Sequence, residues 1–205
     1  MLKKRIAVLV SGGGSNLQAL LNAEKSGLLS SGHVVLVVSD RAQAFALKRA
    51  QAAHVKACLL DKKALGGQQE FEFQLQNLLN KEKIHLIVLA GFMSILSADF
   101  TRCYDKRIIN IHPSLIPAFC GPGYYGVKVH EAALKRGVKI SGATVHYVNE
   151  IADGGEIIAQ QAVLVLPGDT PQTLQQRIME QAEWQLLPHA VEELCKSIDN
   201  LSIRR

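Results

Sequence analysis

The sequence predicts an α/β protein built on a doubly wound, mostly parallel sheet, with antiparallel late strands and a C-terminal helix. Short runs of β-branched and aliphatic residues alternate with longer segments of helical periodicity, which is the pattern of strand–helix–strand units. The early runs are apolar at nearly every position, as expected of strands covered by helices on both faces. With 205 residues and 48% hydrophobic content, the chain is long enough for one substantial core.

Seven runs predict the strands of this sheet, five early and two late. The early runs cover residues 5–10, 33–40, 55–60, 84–91 and 107–112. The late runs at residues 139–148 and 155–166 are longer and alternate partly between apolar and polar residues. We therefore expect these two strands to be antiparallel and to extend the sheet.

Segments of helical periodicity fill the intervals between the predicted strands. The candidate helices cover residues 15–26, 42–53, 68–82 and 97–104. Residues 170–198 predict one or two more helices, because Thr170 suits an N-cap and Pro171 suits the first helical position. Residues 118–134 predict a long loop, in which His130 is either a pocket residue or, as we favour, a residue at the start of a helix.

The charge balance favours a small anionic ligand over nucleic acid. The 23 Lys and Arg residues outnumber the 18 Asp and Glu residues, which gives a net charge of +5 with neutral histidines. These basic residues are scattered, and the cluster Lys3–Arg5 is a short terminal group of the kind that usually lies in solvent. We therefore expect no nucleic-acid partner.

The cysteines and the apolar runs bear on the compartment. The four cysteines fit neither a Cys-x-x-Cys pair nor a disulfide framework, so reduced thiols and no metal are expected. The first apolar run, Ile6–Val10, is too short for a signal peptide. No run approaches the ~20 apolar residues that span a bilayer. We expect a cytoplasmic protein without a membrane partner.

The first candidate binding segment is SGGGSN, residues 11–16, which follows the first strand and opens a helix. Ligands of an open parallel sheet bind beyond the carboxyl ends of its strands, where this segment lies. Its glycines let the backbone approach a ligand, and the N–H groups and dipole of a helix N-terminus attract an anion such as phosphate. The segment matches neither the dinucleotide fingerprint nor a P-loop, so a tight turn without a ligand stays an alternative.

Two other strand ends carry candidate residues. The apolar segment Phe92–Leu96 forms either a part of the core or one wall of a pocket. Asn110 and His112, at the end of the strand at 107–112, offer an amide donor and a general acid. Asp153 precedes two glycines between the late strands, and a carboxylate beside a histidine raises the pKa of the imidazole. Each of these residues alone also fits a turn or a solvated surface.

Together these segments resemble the glycinamide ribonucleotide formyltransferases, folate-dependent enzymes of purine biosynthesis. The resemblance rests on GGGSNLQALL, LAGFMSILS, INIHPSLIP, SGATVHYV and DGGEII, in the family's order and spacing, from about residue 5 to residue 195. The Asn-x-His-Pro-Ser motif with a downstream Asp marks the wider group of 10-formyltetrahydrofolate enzymes, and the Gly-Ser-Asn loop narrows it. Other members of that group carry additional domains, for which this chain is too short.

The resemblance implies a single formyltransferase domain with a Rossmann-like fold over residues 1–205. About residues 1–105 would be the phosphate-binding half, and about residues 106–205 the catalytic and folate-binding half. The implied reaction moves a formyl group from the co-substrate 10-formyltetrahydrofolate to the amine of 5′-phosphoribosylglycinamide, without a metal. The expected partners are these small molecules, with the chain a monomer or a homodimer.

The resemblance also assigns the catalytic and substrate-binding residues. Asn110 and a protonated His112 would stabilise the negative charge that forms on the formyl oxygen. Asp153 would keep His112 protonated and help to relay a proton. The residues that would bind glycinamide ribonucleotide are Gly14, Ser15 and Asn16, which hold the phosphate, and Glu183, which binds the ribose hydroxyls.

The co-substrate pocket follows from the same resemblance. Its expected residues are Met93, Ser94, Ile95, Leu96, Asn110 and Gln68, with residues 149–153 closing around the pteridine ring. Ser94 and Gln68 stand where relatives often have arginines for the glutamate tail, and Lys62 or Lys63 are candidate replacements.

Two other functions stay open at this point. One is a different reaction of 10-formyltetrahydrofolate, either hydrolysis or transfer to another amine. The other is a phosphate- or nucleotide-binding module without catalysis, which leaves Asn110, His112 and Asp153 without a role.

Overall fold

The computed structural model describes residues 2–202, in which seven strands form one sheet. The strands are β1 (Lys4–Val10), β2 (Gly32–Ser39), β3 (Lys56–Leu59), β4 (Leu86–Leu89), β5 (Ile108–His112), β6 (Ile140–Tyr147) and β7 (Ile157–Leu164). Their order across the sheet is β3-β2-β1-β4-β5-β6-β7. The chain therefore moves outward from β1 in one direction and then returns to its other side, which places the switch point between β1 and β4.

The pairing of the strands confirms the predicted fold class. The pairs from β3 to β5 are all parallel, whereas β5 pairs with β6 and β6 with β7 in antiparallel fashion. Each early run of apolar residues overlaps one of the parallel strands, and the two partly alternating runs overlap the antiparallel ones. The antiparallel register sets Asn110 directly opposite His146.

Seven α-helices and one π-helical segment surround the sheet in the described part of the chain. They are α1 (Ser15–Ser26), α2 (Phe45–Ala52), α3 (Gln68–Lys81), α4 (Ala98–Cys103), α5 (Val127–Arg136), α6 (Pro171–Ile178), the π-helix (Met179–Glu183) and α7 (Trp184–Ser202). Six of the α-helices fall in the predicted helical segments, and Thr170 caps α6 as expected, its hydroxyl accepting from the Thr173 N–H.

Helix α5 corrects the interpretation of residues 118–134 as a loop. The loop ends at Gly126, and the helix buries Val129, His130 and Ala133, which recur at helical spacing. Its start has no side-chain cap because the N-cap residue is glycine, so the sequence lacks the usual signal for a helix N-terminus. Gly137 ends the helix in the left-handed conformation at φ 75°.

The two faces of the sheet pack against different helices. Ile6, Val8 and Val10 of β1 lie in a core with apolar residues of α1, α2, α6 and α7. Ala7 and Leu9, which point to the opposite face, lie in a second core with residues of α3 and α4. Residues Ile6–Val10 of β1 are therefore shielded from solvent on both faces, as the unbroken apolar run predicts.

A buried carboxylate on α7, that of Glu192, binds the loop between α1 and β2. Glu192 accepts hydrogen bonds from the backbone N–H groups of Ser30 and Ser31, both at 2.9 Å, and from both of their hydroxyls. Burial acts to raise the pKa of Glu192, but these hydrogen bonds outweigh it and the net shift is downward.

Among the described helices, none is long and apolar enough to cross a membrane.

Candidate active site

The carboxyl ends of β1, β4 and β5 open onto one cavity of about 610 Å³. The predicted site residues that line it are Gly14, Ser15, Asn16, Met93, Ile95, Asn110, His112, Asp153 and Glu183. A smaller cavity of about 130 Å³ adjoins it. This one is lined by Met93, Ser94, Ile95, Leu96, Asn110 and the loop 148–153. The sheet topology thus brings segments from most of the chain to one place.

The glycine loop lies at the β1 end of the large cavity. Gly14 has φ 73°, and a Cβ on it would lie 2.6 Å from the Cβ of Ala46, so only glycine fits here. The Ala46 N–H donates to the Gly12 carbonyl at 3.1 Å, and Arg49 Nε donates to the Gly13 carbonyl at 2.8 Å. These bonds tie the loop to α2. Because Gly14 is also the N-cap of α1, no side chain caps the first N–H groups of that helix.

Glu183 reaches the glycine loop from the far end of the chain. Its Oε2 accepts a hydrogen bond from Asn16 Nδ2 at 2.5 Å, and both side chains are buried. Burial raises the pKa of Glu183, while the bond from Asn16 acts in the opposite direction. The Oδ1 atom of Asn16 has no hydrogen-bond partner among the described residues. This pair therefore offers polar atoms beside the helix N-terminus.

Asn110, His112 and Asp153 form a cluster at the end of β5. Asn110 and His112 are two positions apart in a strand, so their side chains leave the same face of the sheet. Asp153 Oδ2 lies 3.5 Å from His112 Nδ1, and Asp153 Oδ1 lies 3.5 Å from Asn110 Nδ2. The Gly121 N–H also donates to Asp153 Oδ2 at 2.8 Å. The loop before α5, which contains Gly121, therefore meets the loop after β6 at this carboxylate.

Burial and two neighbouring groups act on the protonation of His112 in opposite directions. His112 Nε2 lies 2.9 Å from the Phe119 carbonyl, which only accepts, so the Nε2 atom carries a proton. Burial lowers the pKa of His112, and the Phe119 carbonyl and the Asp153 charge act in the other direction without reversing the shift. Burial thus opposes the charge that Asp153 favours on the unliganded imidazole, and a protonated His112 stays a prediction.

Asp153 itself is held in the ionised form. Burial acts to raise its pKa, but the neighbouring His146 and His112 rings and the Gly121 N–H act together more strongly, so the net shift is downward. Its backbone has φ 54°, a left-handed conformation that Asp adopts more readily than most residues.

Sequence reasoning missed two partners of this cluster. His146 is buried on β6, with Nε2 3.1 Å from Asn110 Nδ2. The Phe119 carbonyl, which bonds His112, belongs to a residue with φ 51° in the loop before α5. His146 could have been found from the register of the antiparallel pair, which places it opposite Asn110, but a carbonyl partner leaves no signal in the side-chain sequence.

Comparison with known proteins identifies the family. A profile described as formyl transferase matches residues 4–191. Glycinamide ribonucleotide transformylase 1 from Symbiobacterium toebii is 39% identical and superposes with a TM-score of 0.88, covering 95% of this chain and 89% of that one. Phosphoribosylglycinamide formyltransferase from Bacillus halodurans is 35% identical with a TM-score of 0.87, covering 97% and 98%. The chain belongs to the phosphoribosylglycinamide formyltransferase family.

Curated members and relatives of this formyltransferase family are longer than this chain. The trifunctional purine biosynthetic protein adenosine-3 of Gallus gallus is 42% identical over 190 residues, which are 93% of this chain and 18% of that protein. The chloroplastic phosphoribosylglycinamide formyltransferase of Vigna unguiculata is 37% identical over 194 residues, and the chain spans 62% of its length.

Two of the expected co-substrate residues, Ser94 and Gln68, are hydrogen-bonded to other residues of the chain. Ser94 lines the small cavity, but its hydroxyl donates to Asp40 Oδ2 at 2.7 Å. Gln68 is the first residue of α3 and lines neither of the two cavities. Its Nε2 donates to the Ile95 carbonyl at 3.0 Å, and Lys62 Nζ donates to its Oε1. Gln68 therefore supports the 93–96 segment from outside.

In the described part of the chain, no group of three or more His, Cys, Asp or Glu side chains is arranged to hold a metal ion.

Proposed function

We propose that this chain transfers the formyl group of 10-formyltetrahydrofolate to the amine of 5′-phosphoribosylglycinamide. The amine nitrogen forms a bond to the formyl carbon, the bond from that carbon to N10 breaks, and a proton passes from the amine to N10. The products are N-formylglycinamide ribonucleotide and tetrahydrofolate, and the reaction is a step in the biosynthesis of IMP.

One observation carries this proposal. The Asn110, His112 and Asp153 cluster lies between an uncapped helix N-terminus on one side and an apolar cavity on the other. A phosphorylated amine held on the first side and a flat heterocycle held on the second would meet at these polar side chains. This arrangement suits acyl transfer between two bound small molecules, and it gives the cluster a role that a phosphate-binding module would not need.

The glycine loop and Glu183 supply the subsite for glycinamide ribonucleotide. The backbone N–H groups at Gly14, Ser15 and Asn16 bind the 5′-phosphate, because the helix dipole and free donors favour an anion there. Glu183 and Asn16 Oδ1 accept hydrogen bonds from the ribose hydroxyls. These contacts hold the amine at the cluster and convert part of the binding free energy into orientation.

Asn110 and His112 stabilise the charge that develops on the formyl oxygen. A well-placed donor contributes roughly 3 kcal/mol to such a transition state. His112 Nε2 donates to the Phe119 carbonyl in the unliganded structure, so the formyl oxygen replaces that carbonyl as its partner. An oxyanion favours the charged imidazole more strongly than a neutral carbonyl does, and His112 gains positive character as the reaction proceeds.

Asp153 is the base of the proposed reaction. Its lowered pKa supports an ionised carboxylate at neutral pH, and it lies 3.5 Å from both His112 Nδ1 and Asn110 Nδ2. The carboxylate stabilises the imidazolium of His112 and relays the amine proton to N10 through water.

The small cavity and the segment 93–96 form the subsite for the folate ring system. Met93 and Ile95 present apolar surface to the ring, and residues 149–153 close around the pteridine. Gln68 and Lys62 lie beyond this pocket, on the side where the glutamate tail leaves it.

An assay of tetrahydrofolate release tests the proposed function directly. The full chain is incubated with 10-formyltetrahydrofolate, with and without glycinamide ribonucleotide, and the absorbance change is followed. Release that requires the amine is the expected result. Release without the amine would show hydrolysis, and no release in either mixture would leave only a binding module, so each of these outcomes would refute formyl transfer.

A further inference from the structure

We infer that His146 is a positioning residue, which fixes the orientation of the Asn110 amide so that its N–H group faces the formyl oxygen. The inference rests on the proposed function for its kinetic consequences, while the geometry behind it is independent of the substrate. His146 is 2% exposed and lies opposite Asn110 in the antiparallel pair of β5 and β6.

The position of the proton on His146 is set by a backbone carbonyl. His146 Nδ1 lies 2.7 Å from the carbonyl oxygen of Tyr147, which can only accept a hydrogen bond. The Nδ1 atom therefore carries a proton. In the neutral ring, Nε2 then has a lone pair and needs a donor.

The Asn110 amide supplies that donor. Its Nδ2 lies 3.1 Å from His146 Nε2 and can meet a lone pair, whereas Oδ1 in the same place would meet a second acceptor. The amide is thereby fixed with Nδ2 toward His146, and its second N–H group remains to be used. That group lies 3.5 Å from Asp153 Oδ1, a long contact that leaves it available to the formyl oxygen.

A competing arrangement assigns His146 to Asp153 instead. A charged His146 would donate from Nε2 to Asp153 Oδ1, which lies at 3.6 Å. It would then point an N–H group at Asn110 Nδ2 from 3.1 Å, and two donors would face each other. A bond from His146 would help to lower the pKa of Asp153, but the Nε2–Oδ1 distance of 3.6 Å is longer than the 3.1 Å to Asn110 Nδ2. We therefore assign Nε2 to Asn110, which requires a neutral ring.

A buried histidine meets two requirements that few side chains combine. The ring donates to a carbonyl on one edge and accepts from an amide on the other, and its rigid plane fixes the angle between the two bonds. Glutamine retains the acceptor with a flexible stem, whereas leucine has a similar volume and no polar atom. These two substitutions therefore separate the hydrogen bond from the packing.

The kinetic experiment combines these variants with the loss of Asn110. We expect His146→Leu to lower kcat roughly 10- to 100-fold with KM for both substrates changed less than about threefold, because a misplaced donor weakens only the transition state. His146→Gln should recover most of this loss, and His189→Leu, at an exposed histidine, should lose nothing. In an Asn110→Ala background, His146→Leu should cost less than about threefold, because its effect passes through the missing amide.

Equal losses in the two backgrounds, or full activity of His146→Leu, would overturn the inference. Thermal unfolding monitors whether the variant folds, and a second measurement needs no variant. In the wild-type chain labelled with ¹⁵N at histidine, long-range proton–nitrogen NMR spectra at the assay pH should show His146 as the neutral ring with the proton on Nδ1. A proton on Nε2, alone or in a charged ring, would contradict it. Because no substrate is present, this result stands even if formyl transfer fails.

Discussion

The protonation of a single residue, His112, shows how burial and charge compete in this site. Asp153 beside His112 favours a charged ring, yet the residue is only 4% exposed and burial lowers its pKa. A sequence can suggest which charged residues approach a histidine, but the burial of the ring depends on the whole fold.

Removing His112 tests its role in the transition state. We expect His112→Ala to lower kcat on the order of 10²- to 10⁴-fold with nearly unchanged KM, because its charge acts on an oxygen that becomes negative only during the reaction. Steady-state kinetics with both substrates measure the two constants. His189→Ala is the control, and a His112→Ala enzyme with normal turnover would exclude the proposed role.

Asp153→Asn separates the charge of this residue from its shape. Asn tolerates the left-handed backbone at φ 54°, so the loop should keep its conformation while the base is lost. We expect a fall in kcat similar to that of His112→Ala. The double variant should be little worse than either single one, because residues that act as a unit lose their effect together. Losses that multiply in this cycle would argue against their coupling.

The burial of His130 predicts that the protein loses stability toward unfolding in mild acid. The residue is fully buried on α5, and burial lowers its pKa to about 4, whereas the unfolded chain has an ordinary histidine. The unfolded state thus binds more protons, so stability is complete above about pH 6.5 and is lost as pH falls toward 4, by about 3 kcal/mol.

Urea unfolding at several pH values between 7 and 4 measures this loss. His130→Leu should remove it, because leucine does not titrate and neither ring nitrogen of His130 has a partner among the described residues. His189→Leu, at an exposed position, should leave the pH dependence unchanged. An identical dependence in the His130 variant and the wild type would show that other groups are responsible.

At the scale of secondary-structure elements, local signals decided what could be predicted. Helix α1 has the predicted bounds 15–26, because a glycine loop and a clear apolar stripe mark its start and its core face. Helix α5 begins after glycines without a capping side chain, and the π-helix at Met179–Glu183 continues a helical pattern on both sides. A π-helix widens the turn by one residue, with hydrogen bonds from i to i+5, and the sequence contains no residue type that marks this change.

The link between the glycine loop and α2 makes a testable prediction. Gly14→Ala should lower the free energy of unfolding by about 1–3 kcal/mol, because alanine is strained at φ 73° and its Cβ would collide with Ala46. The displaced loop should also raise KM for the phosphorylated substrate. Thermal or urea unfolding and steady-state kinetics measure the two effects.

Gly13→Ala is the matched control in the same loop. A Cβ at Gly13 meets no atom within 4 Å, and its φ lies outside the left-handed region. Its stability should change by less than about 0.5 kcal/mol. If Gly14→Ala proved as stable as Gly13→Ala and bound substrate normally, the loop would not be fixed by α2.

For the whole molecule, the fold could be predicted from the sequence more completely than the site. Apolar runs and helical stripes are local patterns, and they were enough to predict the parallel sheet and its antiparallel extension. Glu183 was assigned to the site by resemblance to a family, and no pattern in the chain predicted its contact with Asn16, 167 positions away. The division into a phosphate-binding half and a catalytic half stays a prediction.

The hydrogen bonds of Glu192 link α7 to the loop between α1 and β2, and we predict that they stabilise the fold. Glu192→Gln should lower the free energy of unfolding at pH 7 by about 1.5–3 kcal/mol, because hydrogen bonds to a charged acceptor are lost and the new amide meets donors. The pKa of Glu192 is lowered in the fold, so its contribution is complete above the ordinary value and disappears as pH falls below it.

Glu193→Gln provides the adjacent control. Glu193 is 73% exposed and pairs with Lys196, so its loss should change stability by less than about 1 kcal/mol. Urea unfolding of both variants at pH 7 gives the comparison. Equal effects at the two positions would mean that the bonds to Ser30 and Ser31 contribute little.

The position of residues 171–202 has a consequence for how the protein is made. A ribosome releases these residues last among those described, yet they cover one face of the sheet and carry Glu183 into the site. Until they emerge, the core around Ile6, Val8 and Val10, which are fully buried in the finished fold, lacks the apolar residues of α6 and α7. Such a chain has incomplete packing of the kind that makes folding intermediates prone to aggregate, and the site lacks Glu183 until these residues have been made.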